Sequence, residues 1–214
     1  MERSKRTRIA VIIFLVIWHQ VGVIGLHLEE TRLLFQQLVP LNLLLSTACL
    51  TFFHRKWNFT FGVFCLAVFW MGYLIEVLGV RTGLIFGNYA YGNSLGPKVS
   101  SVPPMIGLNW LMLTYMGGVI ANSVLKHPLL GPAIGATLMV LMDIMIEPMA
   151  IRYDFWIWDG GSIPLQNYIA WWVISYVFVY GFYALKMNIR NQIAGPLYVI
   201  QFLFFAIFLL IENA

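Results

Sequence analysis

The sequence predicts an all-α polytopic transmembrane bundle of about seven helices, with the amino terminus inside and the carboxyl terminus outside. Three observations carry that expectation. Of 214 residues, 60% are hydrophobic and only 10% charged, whereas soluble domains carry about 25% charged residues. Seven apolar runs approach the roughly 20 residues needed to cross a hydrocarbon core. The basic residues, finally, favour one set of the intervening loops.

The spans fall at 9–26, 33–53, 58–79, 104–125, 129–150, 167–186 and 192–212. The first follows a basic stretch, Glu2 to Arg8, but lacks a small-residue cleavage site and reads as an uncleaved helix. With the amino terminus inside, the inner segments hold Arg3, Lys5, Arg6, Arg8, Arg55, Lys56, Lys126, Lys186 and Arg190. The outer ones hold only Arg32, Arg81, Lys98 and Arg152. The net charge of +4 therefore reports topology, not nucleic-acid binding. A multi-pass protein of the cell (inner) membrane is expected, as one integral domain over residues 1–214, with membrane lipid around it. Cys49 and Cys65 lie inside spans and read as small core residues. The sequon Asn58-Phe59-Thr60 falls on the inner side and reads as a chance match.

Two long outer segments, 80–103 and 152–166, are too aromatic for simple linkers and read as lids on the helix ends. Beneath them lie the residues that composition does not explain. Glu76 ends the third span, and Asp143 and Glu147 sit four apart on one face of the fifth. A carboxylate inside a span is costly unless it faces a partner or a cavity. A rise of 1.5 Å per residue places Glu76 and Glu147 about 5 Å below the outer helix ends, Asp143 about 10 Å and Asn109 about 7 Å. Two readings are open for the glutamates: a site, or structural ion pairs with Arg81 and Arg152. Asn109 and Asn167 are read either as site residues or as helix-packing hydrogen bonders.

The two lid regions also read as an internal repeat, 58–125 and 129–186. Glu76, Arg81, Tyr89-Ala90-Tyr91-Gly92, Ser101-Val102-Pro103 and Asn109-Trp110 run in the same order as a second series. That series is Glu147, Arg152, Trp156-Ile157-Trp158-Asp159-Gly160, Ser162-Ile163-Pro164 and Asn167-Tyr168. Duplication and shared interface composition both account for it.

Several chemistries are disfavoured. His19, His27, His54 and His127 have no metal-ligand spacing, so no metal site is expected. All five lysines lie in loops or at the terminus, which leaves none for a mid-membrane Schiff base. Paired Asp-rich diphosphate motifs and nucleotide-binding glycine motifs are missing from the sequence. Acid–base chemistry by carboxylates among aromatics remains, with no cofactor.

Three stretches then carry a resemblance. EVLGVRTGLIFGNYAYG from Glu76 to Gly92, LMDIMIEPMA from Leu141 to Ala150, and WIWDG from Trp156 to Gly160 resemble the carotenoid 1′,2′-hydratase family. The likeness covers nearly the whole chain and is specific at 76–110 and 141–168. It implies addition of water to the terminal C1=C2 bond of an acyclic (ψ) carotenoid end group, with the carotenoid held within the bilayer. Partners of that setting would be other carotenoid-pathway enzymes or a second copy of the chain. A desolvated carboxyl group suits protonation of an alkene, and aromatic faces stabilise the tertiary cation. In this reading Asp143 is the general acid, and Glu147 and Glu76 position water. Asn109 and Asn167 hold it; Tyr89, Tyr91, Trp110, Trp156 and Trp158 line the end-group pocket, with Arg81, Arg152 and Asp159 around it. A membrane carotene cyclase shares the first step and loses a proton instead. A proton-coupled carrier of a lipophilic substrate would need polar residues continuing to the inner side, where His19 and Gln20 are the main exceptions to an apolar pattern.

Overall fold

A computed structural model describes residues 4–187 and 189–212. Arg3, counted above among the inner charges, lies outside them. Among the described residues the chain forms eight α-helices: α1 Lys5–His27, α2 Glu29–Gln37, α3 Val39–Phe52, α4 Phe59–Thr82, α5 Met105–Val124, α6 Leu130–Arg152, α7 Leu165–Ala184 and α8 Ala194–Glu212. Four of these, α1, α4, α6 and α8, are long and apolar enough to cross a membrane, and five crossings result if the bent pair α2–α3 counts as one. Their outward faces are apolar, as lipid requires; on α1 alone Ile13, Ile17 and Ile24 are more than half exposed.

Sequence periodicity places one span at 33–53, but the structure breaks it at Leu38, where α2 and α3 meet at 55°. Pro40 sits in the first turn of α3. Its ring lacks an N–H and clashes with a carbonyl four residues back, which disfavours a straight helix through this point and fits the bend at Leu38. The sequon has a structural use as well. The Asn58 side chain caps α4 by accepting from the Phe61 N–H at 2.8 Å.

Helix α5 is central, packed against α3, α4, α6, α7 and α8, and most of its residues are buried. Small residues set its approach to neighbours. A methyl group at Gly72 of α4 would stand 2.6 Å from the Trp110 Cβ of α5. Gly72→Ala is therefore expected to lower stability by about 1–3 kcal/mol, because Trp110 is pinned on its other side and cannot yield. Thermal unfolding in detergent measures it, and an unchanged midpoint would disprove the close-approach argument.

The fold is all-helical as expected, with one small addition in the lids. The two lids are joined by a short antiparallel sheet, β1 Tyr89–Tyr91 with β2 Trp156–Trp158, in the register Tyr89↔Trp158, Ala90↔Ile157 and Tyr91↔Trp156. Alternation on a strand sends residues i and i+2 to one face. Ala90 and Ile157 are exposed, and the four aromatic rings turn inward onto the helix ends.

Candidate functional site

The inward rings of the sheet act chiefly as hydrogen-bond donors. Tyr89 and Tyr91 donate to Glu76 Oε2 at 2.5 and 2.7 Å, and Trp110 Nε1 donates to Oε1 at 2.9 Å. Burial first, and the neighbouring Glu76 second, raise the pKa of both phenols well above its ordinary value, so both keep their protons. On the other strand, Trp156 and Trp158 donate to Glu147 Oε2 at 3.0 and 2.9 Å. Asn167 Nδ2 reaches Glu147 Oε1 at 3.4 Å and Asp143 Oδ2 at 3.0 Å. Each glutamate is thus held by two alternate residues of one strand and one residue of the following helix. The two units differ at that last donor, Trp110 in one and Asn167 in the other.

Glu76, Asp143 and Glu147 are all at most 2% exposed. Asp143 stands apart from the other two: its described hydrogen bonds reach Asn167 alone. Among the described residues, no group of three or more His, Cys, Asp or Glu side chains is placed to hold a metal ion.

The lids are locked where they meet. Gly92 N donates to Phe155 O, Asn93 N to Asp154 Oδ2 and Ser94 Oγ to Tyr153 O, while within the first lid Lys98 Nζ donates to Tyr91 O. Gly92 is required there, since a Cβ would overlap the Asp154 carbonyl. Trp110 also stacks on Trp171, ring centroids 4.0 Å apart and 13° from parallel. Sequence reading missed Trp171, Asp154 and Lys98 as supports of the site. The alternating Tyr89/Tyr91 and Trp156/Trp158 pattern was the available signal, because alternation of this kind is a strand signature.

Asn109 is separated from the carboxylates. Neighbouring residues on a helix point about 100° apart, so the turn that brings Trp110 to Glu76 carries Asn109 to another face. There it lines an apolar cavity of about 200 Å³ bounded by α1, the α2–α3 elbow, α5, α6 and α8. Met142 and Ile146, each beside a carboxylate on α6, line the same cavity, as does Trp156. Tyr89, Tyr91, Trp110 and Trp158, expected to form the pocket wall, do not line it. Among the described residues, Trp156 both lines the cavity and donates its N–H to a carboxylate.

Every described hydrogen bond to Glu76 and Glu147 comes from a neutral Tyr, Trp or Asn donor. Arg81 and Arg152 are exposed, and the Arg152 guanidinium lies 5.7 Å from the Tyr153 ring centre. Asp159 is exposed at the lid edge, where its N–H donates to Asn88 O. The end of the bundle away from the lids is also less apolar than its sequence suggests. His54 Nδ1 and Asn191 Nδ2 each lie 2.9 Å from Tyr115 OH, and Asn191 also donates to Leu50 O. That network ties α3, α5 and the α7–α8 loop together.

Fold and site together define a helical membrane protein with three buried carboxylates, two of them gripped by an aromatic lid. The chain belongs to the carotenoid biosynthesis protein family, whose profile matches residues 38–213. It is similar to the bisanhydrobacterioruberin hydratase of Haloarcula japonica, 32% identical over 123 residues. That match takes in 51% of this chain and 40% of the relative, so the chain aligns with well under two thirds of that protein. No solved structure matches.

Proposed function

We propose that the protein hydrates carotenoids without a cofactor, adding water across the terminal C1=C2 bond of a ψ end group. The observation that carries this reading is the unequal hydrogen bonding of the three carboxyl groups. Glu76 and Glu147 each face three neutral donors, an arrangement that suits an acceptor-only carboxylate. Asp143 has one donor and two acidic neighbours, which makes it the group to carry the proton.

The end group enters past Trp156, Met142 and Ile146, which line the cavity, to reach Asp143 and Glu147, which do not. Asp143 gives its proton to C2, leaving a tertiary cation at C1 beside the Trp156 ring, whose face stabilises it. Water adds to C1 and passes its extra proton to Glu147, which shares a helix face with Asp143. Asn167, bonded to both carboxyl groups, holds them in place while the proton returns to Asp143. The relative's name as a hydratase and the family membership support the reaction class.

The proposed topology keeps seven crossings, amino terminus in and carboxyl terminus out, in the cell (inner) membrane. At 20 residues, α5 and α7 span about 30 Å. The lower apolarity of α5 fits a helix buried against protein on most sides, while α7 buries one face, along Asn167, Trp171, Ser175, Phe178 and Phe182.

Membranes carrying the protein, supplied with lycopene or γ-carotene, are expected to yield products heavier by one water. A product of unchanged mass with a new ring would replace hydration by cyclisation; no new product from either would remove both.

A further inference from the structure

Three polar side chains line the apolar cavity, and the most buried of them, His19, carries a ring nitrogen without a partner among the described residues. His19 is 2% exposed, and its Nδ1 lies 2.8 Å from Leu15 O. A carbonyl only accepts, so Nδ1 carries the hydrogen and, in the neutral ring, Nε2 is an acceptor. That Nε2 has no hydrogen-bond partner among the described residues. Gln201, 5% exposed, makes one described contact, from Nε2 to the Met112 sulfur at 3.7 Å. Asn109 makes no described side-chain hydrogen bond, though it stands one turn from Met112 on α5. The three come from different helices, α1, α8 and α5, and His19 packs edge-on against Phe204, one turn along α8 from Gln201. All three line the same cavity.

Leaving polar groups unbonded at such depth is costly, in a membrane more than in water. Their chemistry specifies what satisfies them. His19 Nε2 and the Gln201 carbonyl need a donor, and the Asn109 amide can donate or accept. A hydroxyl group does both. The rest of the lining is aliphatic and aromatic, including Leu26, Leu43, Leu113 and Phe205. An apolar cavity of about 150 Å³ accommodates a benzene ring, so a cavity of about 200 Å³ holds a branched end group and not a whole polyene.

We infer that this cavity is a subsite for the hydrated end group, binding an isoprenoid tertiary alcohol with its hydroxyl donated to His19 Nε2. The choice of alcohol rests on the hydratase reading: that reaction creates a tertiary alcohol beside Trp156, the residue that cavity and carboxylates share. Before hydration the end group is a hydrocarbon and leaves the three polar groups unsatisfied. After hydration its one O–H donates to His19 Nε2 and its oxygen accepts from the Asn109 amide, so the subsite favours product over substrate and draws the reaction forward within the protein.

The test reads binding and needs no turnover. The full chain in detergent, carrying Asp143→Asn, is photolabelled with a diazirine derivative of 2-methylheptan-2-ol. Labelled peptides are expected from α1, α5 and α8. Unmodified 2-methylheptan-2-ol should compete about tenfold better than 2-methylheptane, the ratio that one buried hydrogen bond supplies. His19→Phe keeps the ring packing on Phe204 and should erase that preference; Gln201→Leu provides a second, independent variant. Equal competition by alcohol and alkane, or a preference unchanged in both variants, overturns the subsite. The hydratase reading fails separately: alcohol-selective labelling in a chain whose native sequence hydrates neither lycopene nor γ-carotene would keep the subsite and discard that reaction.

Discussion

Asp143→Asn is expected to abolish hydration while leaving the fold intact. Asn167 Nδ2 donates to Asp143 Oδ2 at 3.0 Å, and the amide oxygen of an asparagine accepts that bond equally well. The substitution preserves shape and partner and removes only the transferable proton. A general acid contributes about 10²–10⁴-fold to rate, enough to take the hydroxylated pigment below detection in a carotenoid-producing host. Pigment extraction with mass analysis gives the answer, and thermal unfolding of the purified variant controls for folding. An undiminished yield of hydroxylated carotenoid would remove Asp143 from the mechanism and shift attention to the two glutamates.

The site was partly legible in the sequence because membrane burial makes carboxylates conspicuous. Glu76, Asp143 and Glu147 stand out from apolar spans on cost alone, and helical rise sets their depth. Depth is one coordinate of two. The missing one is azimuth, and it explains Asn109. Its depth matches the carboxylates, yet its position one step from Trp110 turns it onto the cavity. A one-residue difference of this kind depends on which side of α5 packs on α4, and the low amphipathicity of a helix buried all round gives no sequence signal for it.

The lids were legible as lids but not as a sheet. Tyr89-Ala90-Tyr91 and Trp156-Ile157-Trp158 are three residues each, too short for a period to stand out, and their partners lie more than 60 residues apart. Recognising the strands would have assigned the four rings correctly, since alternation puts them on one face toward the helix ends. A wall of rings and a set of N–H and O–H donors are the same residues seen from two sides. The second description is the one the carboxylates select. In the same way, Pro40 marked the break in the second span, yet apolar length alone reads straight through it.

Glu76→Leu is expected to be strongly destabilising at the lid-bearing end of the bundle. It removes the acceptor of three donors from two separate elements, Tyr89 and Tyr91 on β1 and Trp110 on α5. Tyr91 and Trp110 are at most 7% exposed, so water cannot replace the lost bonds without opening the lid. At about 1 kcal/mol or more for each orphaned buried donor, the loss comes to at least about 3 kcal/mol. Glu76→Gln keeps one carbonyl oxygen as an acceptor and should lie between that variant and the native protein. The two are compared by thermal unfolding in detergent and by hydrogen exchange. In the leucine variant, amides of 89–91 and 156–158 should exchange faster together, because β1 and β2 are held down by carboxylates and to each other. If Glu76→Leu unfolded at the native temperature with both strands still protected, the grip of the carboxylates would not be what seats the lid. Aromatic packing alone would then have to account for it. The stacked Trp110–Trp171 pair would be the place to test that, since it survives loss of Glu76, as does the edge contact of Trp110 with Phe178.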